Sequence, residues 1–145
     1  MGKYRVALVG CGGMGKSHLN TLEKMQEFEV VGLCDVAVES IDKAREISGE
    51  VASFNDFVKM YDELKPDVVT VATQTRGHHG PAVAALQRGI SVLCEKPIAI
   101  DLQEADEMVQ AAEQSGAKLA INQQNHVSPG IRKAQQMVAE GFETT

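Results

Sequence analysis

Apolar residues follow two rhythms along this chain, short unbroken runs and longer stretches in which they recur every three to four positions, and the two alternate. The runs Tyr4–Val9, Val30–Cys34, Val51–Phe54, Val68–Ala72, Ser91–Cys94 and Leu119–Ile121 predict six strands. Between them, Phe57, Met60, Tyr61 and Leu64 fall at i, i+3, i+4 and i+7, and Leu102, Ala105, Met108, Val109 and Ala112 repeat the stripe. Each stripe predicts a helix with one face to bury. Runs such as VVGLC and DVVTVA are apolar without alternation, as strands are when helices cover both faces of their sheet. Strands alternating with helices need crossover connections, so the predicted class is α/β with a doubly wound parallel sheet of six strands.

Local signals agree with these boundaries. Asp101 and Glu104 have capping-box spacing, and Ser128 followed by Pro129 puts proline at a first helical position. No internal linker, low-complexity segment or repeat beyond the βα alternation interrupts the chain, and 145 residues with 43% hydrophobic and 23% charged fit one globular domain. Fourteen Lys and Arg against twenty Asp and Glu give a net charge of −6, which repels nucleic-acid phosphates and anionic membranes. The apolar stretch Val6–Val9 is too short for a secretory segment or a membrane span, and this reading puts the protein in the cytoplasm. Cys11, Cys34 and Cys94 form no CxxC pair and are expected as small buried side chains, and the adjacent His78 and His79 alone predict no metal site.

Chemistry enters at VALVGCGGMGKSH, where Gly10, Gly12 and Gly15 stand in GxGxxG spacing after the first strand and open the first helix. Gly10 permits the tight turn, Gly12 lets the backbone approach a pyrophosphate, and Gly15 lets the helix pack closely on the strand. Together with Cys11, Gly13 and Met14 they form a candidate phosphate loop, whose helix supplies free N–H groups and a partial positive charge. Asp35 lies twenty residues past Gly15 at the end of the second strand, where a carboxylate accepts hydrogen bonds from the adenosine ribose. It repels a 2′-phosphate, and Val36, Ala37 and Val38 offer no cation to offset that. The loop and Asp35 therefore predict a Rossmann-type dinucleotide-binding domain that takes NAD in preference to NADP.

From Ala72 to Ala99 the chain reads ATQTRGHHGPAVAALQRGISVLCEKPIA, and with Glu95, Lys96 and Pro97 it resembles the glucose–fructose oxidoreductase/inositol dehydrogenase/MocA family. The resemblance covers almost the whole chain: the Gly-rich loop with its following histidine in GKSH, the acidic end of the second strand, a histidine before an Ala-rich helix, and EKP closing the fifth strand. It implies that Gly10 to Gly15 and Asp35 bind the dinucleotide, that Thr73 and His78 line the cofactor cleft, and that Glu95 and Lys96 sit near the nicotinamide. Lys96 becomes the candidate catalytic residue, its ammonium stabilising negative charge that develops on a substrate oxygen. A cis Lys96–Pro97 bond is also implied. Gln123 and Gln124, after the sixth strand, are placed within reach of nicotinamide or substrate, whereas His18 reads as a packed helix residue.

The implied activity is hydride transfer between a nicotinamide and a secondary alcohol or ketone of a sugar, inositol or related polyol, in a protein compatible with an oligomer. The pattern departs at Gln74, where the family usually has proline, which loosens the assignment around Thr75. On this reading residues 1–125 are the dinucleotide-binding domain and 126–145 a helix leading toward a second α/β domain with the substrate pocket, so the 145 residues alone are expected to turn over little. Two competing readings remain open: a non-catalytic dinucleotide-binding or redox-sensing module, which has no use for Lys96, and a transferase using another nucleotide cofactor such as S-adenosylmethionine.

Overall fold

The computed structural model describes residues 2–124 and 128–141. Its strands are β1 (Tyr4–Val9), β2 (Phe28–Cys34), β3 (Ala52–Phe54), β4 (Val68–Val71), β5 (Ser91–Glu95) and β6 (Leu119–Asn122). Its helices are α1 (Gly13–Leu22), α2 (Val38–Ser48), α3 (Phe57–Leu64), α4 (His79–Leu86), α5 (Leu102–Ser115) and α6 (Pro129–Ala139), with a short 3₁₀ turn at Thr75–Gly77. The strands form one sheet in the order β3-β2-β1-β4-β5-β6, and every pairing is parallel. All six predicted strands are present. β2 begins two residues earlier than its apolar run suggests, because Phe28 and Glu29 pair with Tyr4 and Arg5 of β1.

Both faces of the sheet are covered, as the unalternating strands require. Along β1, Ala7 and Val9 join a core with Met60 and Tyr61 of α3, Ala82, Ala85 and Leu86 of α4, and Met108 and Ala111 of α5. The intervening Leu8 points the other way, into a core with Leu19 of α1 and Ile41 and Ala44 of α2. Removing a fully buried leucine such as Leu8 from this arrangement costs about 2–5 kcal/mol. The cysteines Cys11, Cys34 and Cys94 are buried free thiols within these cores, as their sequence context suggests.

The two predicted stripes fare differently. Phe57, Met60, Tyr61 and Leu64 all pack on the core. In α5 only part of the expected face is buried: Leu102 is 82% exposed and Val109 43%, while Ala111 takes an inward place. Leu102 is the first residue of the helix and lies beyond the edge of the core, so its apolar character does not lead to burial. Asp101 caps α5 through its Oδ1, which accepts the Glu104 N–H at 2.9 Å, while Glu104 reaches back to Ile100 N at 3.5 Å. Pro129 does open α6, but Ser128 makes no side-chain capping bond. The expected boundary at residues 125 and 126 and the last four residues, 142–145, lie outside the described residues.

Candidate functional site

In a doubly wound sheet the strand order reverses at β1 and β4, and a crevice opens beyond the carboxyl ends of those strands. The chain carries its candidate residues there. Gly10 follows β1 with φ +94°, and a Cβ on it would lie 2.6 Å from the Ala72 carbonyl carbon. Gly15 is just as constrained, since a Cβ would fall 1.9 Å from the Gly10 carbonyl oxygen. Gly12 differs: a Cβ there meets nothing within 4 Å. Among the described residues nothing crowds that position, and open space lies in front of it.

Gly12 is also the N-cap of α1, with no side-chain cap and no acidic residue in the first turn. The leading N–H groups of α1 thus lack the protein acceptor that most helix starts recruit, and their partial positive charge faces the open space. Gly12, Gly13 and Met14 are exposed, whereas Cys11 is buried behind them.

Asp35 joins this loop directly. Its Oδ2 accepts the Cys11 backbone N–H at 2.7 Å and its Oδ1 accepts that of Ala37 at 2.9 Å. The carboxylate therefore shapes the loop, and it stays partly exposed at the edge of a cleft of about 590 Å³. That cleft is bounded by Asp35, Val36, Asn55, Phe57, Thr73 and Pro81. Apolar walls with a carboxylate at the rim suit an adenosine, whose base is flat and apolar on its faces and whose ribose presents hydroxyls. Sequence reasoning missed Asn55, Phe57 and Pro81. Asn55 follows β3 and could have been found from its place at a carboxyl strand end, but Pro81 lies inside α4 and carries no such signal.

The second group of residues lies at the ends of β4, β5 and β6. Thr73 is half-buried after β4, and Gly77 sits against it, with a Cβ there falling 3.0 Å from Thr73 Oγ1. His78 is 1% exposed; its Nδ1 lies 2.9 Å from the Pro97 carbonyl oxygen and its Nε2 3.1 Å from that of Thr73. His78 thus backs the cleft and leaves its lining to Thr73, Gly77 and Gly80. Lys96, at the end of β5, is exposed, and the Lys96–Pro97 bond is cis, as the sequence resemblance implies. Gln123 and Gln124 are exposed just past β6.

Glu95 is turned inward. Its Oε1 lies 2.7 Å from His18 Nε2 and accepts the Asn122 amide at 2.6 Å, while its Oε2 accepts the Lys96 N–H at 3.3 Å. Burial pushes the Glu95 carboxyl up, but the hydrogen bonds from Asn122, His18 and Lys96, with the charge of His18, outweigh it and hold the group below the usual carboxylate value. His18, expected as a packed helix residue, is largely buried and packs through its bond to Glu95, so that Glu95 ties α1 and β6 to the end of β5. Among the described residues, no helix is long and apolar enough to cross a membrane.

The arrangement has clear counterparts among known proteins. The chain is 29% identical over 139 residues to D-apiose dehydrogenase of Paraburkholderia graminis, covering 96% of this chain and 37% of that protein. It is 30% identical over 138 residues to D-glucoside 3-dehydrogenase of Escherichia coli, covering 94% and 39%. A crystal structure of scyllo-inositol dehydrogenase from Lactobacillus casei with bound NAD(H) and scyllo-inositol superposes with a TM-score of 0.86 at 26% identity, covering 96% of this chain and 42% of that one. The chain thus spans less than half the length of these relatives. The sequence profile of the oxidoreductase family with an NAD-binding Rossmann fold, named for glucose–fructose oxidoreductase, inositol dehydrogenase and MocA, matches residues 4–123, and the chain belongs to that family.

Proposed function

We propose that residues 1–125 form the NAD(H)-holding half of an oxidoreductase that moves a hydride between the nicotinamide and a secondary alcohol or ketone of a sugar, inositol or related polyol. The observation that carries this reading is the gathering, at the carboxyl ends of the parallel strands, of the uncapped start of α1 behind Gly12 after β1, the Asp35 carboxylate bonded to that loop after β2, and the exposed Lys96 after β5. The residues present fit the dinucleotide: the start of α1 would hold the pyrophosphate, Asp35 the adenosine ribose, and Val36 and Phe57 the faces of the adenine.

When bound, NAD supplies the hydride acceptor or donor, and the protein supplies binding, orientation and electrostatics. Asp35 selects NAD over NADP, because its carboxylate accepts from the ribose hydroxyls and repels a 2′-phosphate. Lys96, whose side chain reaches into solvent at the end of β5, donates a hydrogen bond to the substrate oxygen and stabilises the negative charge that grows there. Gln124 lies at the rim of the same region. Hydride transfer needs a substrate pocket that excludes water, and the 145 residues alone turn over little polyol.

Titration of the chain with NADH, followed by nicotinamide fluorescence and repeated with NADPH, tests this function. Saturable NADH binding with much weaker NADPH binding is expected. Binding of neither would sink the cofactor assignment, and equal binding of both would sink the role given to Asp35.

A further inference from the structure

Lys96 is exposed, yet the residues on either side of it are anchored by two histidines from different parts of the chain. On one side, the Glu95 carboxylate is 5% exposed and meets His18 of α1 at 2.7 Å. On the other, the Pro97 carbonyl meets the fully buried His78 at 2.9 Å. Asn122 of β6 completes the first anchor at 2.6 Å; in the second, the other His78 ring nitrogen faces the Thr73 carbonyl after β4 at 3.1 Å, and the tautomer that anchors Pro97 carries its single N–H on Nδ1. The ends of β4, β5 and β6 and the helix that carries the Gly-rich loop are thereby tied around one residue.

We infer that His18 and His78 are positioning residues for Lys96, acting through Glu95 and Pro97 and touching neither cofactor nor substrate themselves. The physical reason lies in the lysine side chain. Its four-carbon stem is flexible, so the backbone at its root sets the direction in which the ammonium reaches. With both neighbours held by short hydrogen bonds, the Lys96 Cα–Cβ direction is set, and only the stem is left to adjust. His18 has a further consequence, because it lies on α1: a dinucleotide pressing on the start of that helix and the lysine at the end of β5 share one rigid connection. The Lys96 N–H bond to Glu95 Oε2 at 3.3 Å closes that connection on Lys96 itself.

The inference rests on the cofactor reading for its binding arm only. In amide hydrogen exchange on the unliganded chain, His18→Ala and His78→Ala should each speed exchange at Glu95, Lys96 and Ile98 about tenfold while leaving β1 and β2 unchanged. In titrations, His18→Ala should weaken NADH binding about fivefold while ADP-ribose, which lacks the nicotinamide, stays within roughly twofold. The NADH loss should shrink below about twofold in a Lys96→Ala background, and His18→Gln, which keeps a donor at the Nε2 position, should recover most of it.

Unchanged exchange at Glu95–Ile98 would overturn the inference, as would an NADH loss of the same size without Lys96 or an ADP-ribose loss in step with the NADH loss. If His78→Ala does not fold, the half-buried His18 pair of variants decides the matter. Failure of the wild-type chain to bind NADH would overturn the cofactor reading, and the exchange measurement would still decide the anchors.

Discussion

The Asp35 carboxylate accepts the backbone N–H of Cys11, 24 positions earlier in the chain, at 2.7 Å, so the residue assigned to ribose recognition also shapes the phosphate loop. A charge-assisted bond of this kind contributes about 1.5–3 kcal/mol. Asp35→Ala should therefore weaken NADH binding by tenfold or more, roughly the same energy expressed as affinity. It should not convert the chain to NADPH, because the loop assigned to the phosphates would loosen for both cofactors. Parallel fluorescence titrations check this, and a variant that binds NADPH as tightly as the parent binds NADH would contradict it.

The glycines of the loop separate binding from folding. Gly12→Ala puts its methyl into open space and should leave stability within about 0.5 kcal/mol while lowering dinucleotide affinity. Gly15→Ala drives its methyl onto the Gly10 carbonyl, where backbone must move, and should cost about 2 kcal/mol or more. Thermal or urea melts of the two variants read the contrast directly. Equal stabilities would mean that α1 does not rest on the Gly10 turn as closely as described.

Acid stability should carry the mark of Glu95. Its carboxyl is held below the usual value in the folded chain, so it contributes stability that is fully present above the unfolded-state value, near pH 4.3–4.5. That stability is lost as pH falls from there through the folded value. Glu95→Gln should be clearly less stable than the parent at pH 7, and the gap should narrow as pH drops below about 4.5. Urea melts at pH 7 and at pH 4 measure it; a gap independent of pH would show that the carboxylate is not stabilised by His18 and Asn122.

The cysteines should be silent until the chain unfolds. Burial, then the Asp35 carboxylate, pushes the Cys11 thiol up to about 12; burial and the same carboxylate bring Cys34 to about 11, and burial with Glu95 brings Cys94 to about 12. Thiolate is the reactive form, so a disulfide reagent at pH 8 should modify none of the three within minutes, and all three in denaturant. Rapid reaction of one thiol in the folded chain would show that its strand end opens.

What the sequence determined by itself was what depends on near neighbours: six strands, helices over both faces, the turn at Gly10, the cap at Asp101, and an acidic residue ending β2. Periodicity and capping act over a few residues, so they are legible in one dimension. Only the tertiary structure decided which distant groups meet, because parallel crossovers bring strand ends together in an order that local signals do not encode. His18 read as a packed helix residue, and only the structure shows that the partner it packs on is Glu95, 77 positions away. Asn122 finds the same carboxylate from β6, His78 goes under the cleft to hold Pro97, and Asn55, Phe57 and Pro81 close the cleft wall from three separate elements. Leu102 shows the converse, an apolar residue in the right rhythm that the edge of the core leaves exposed.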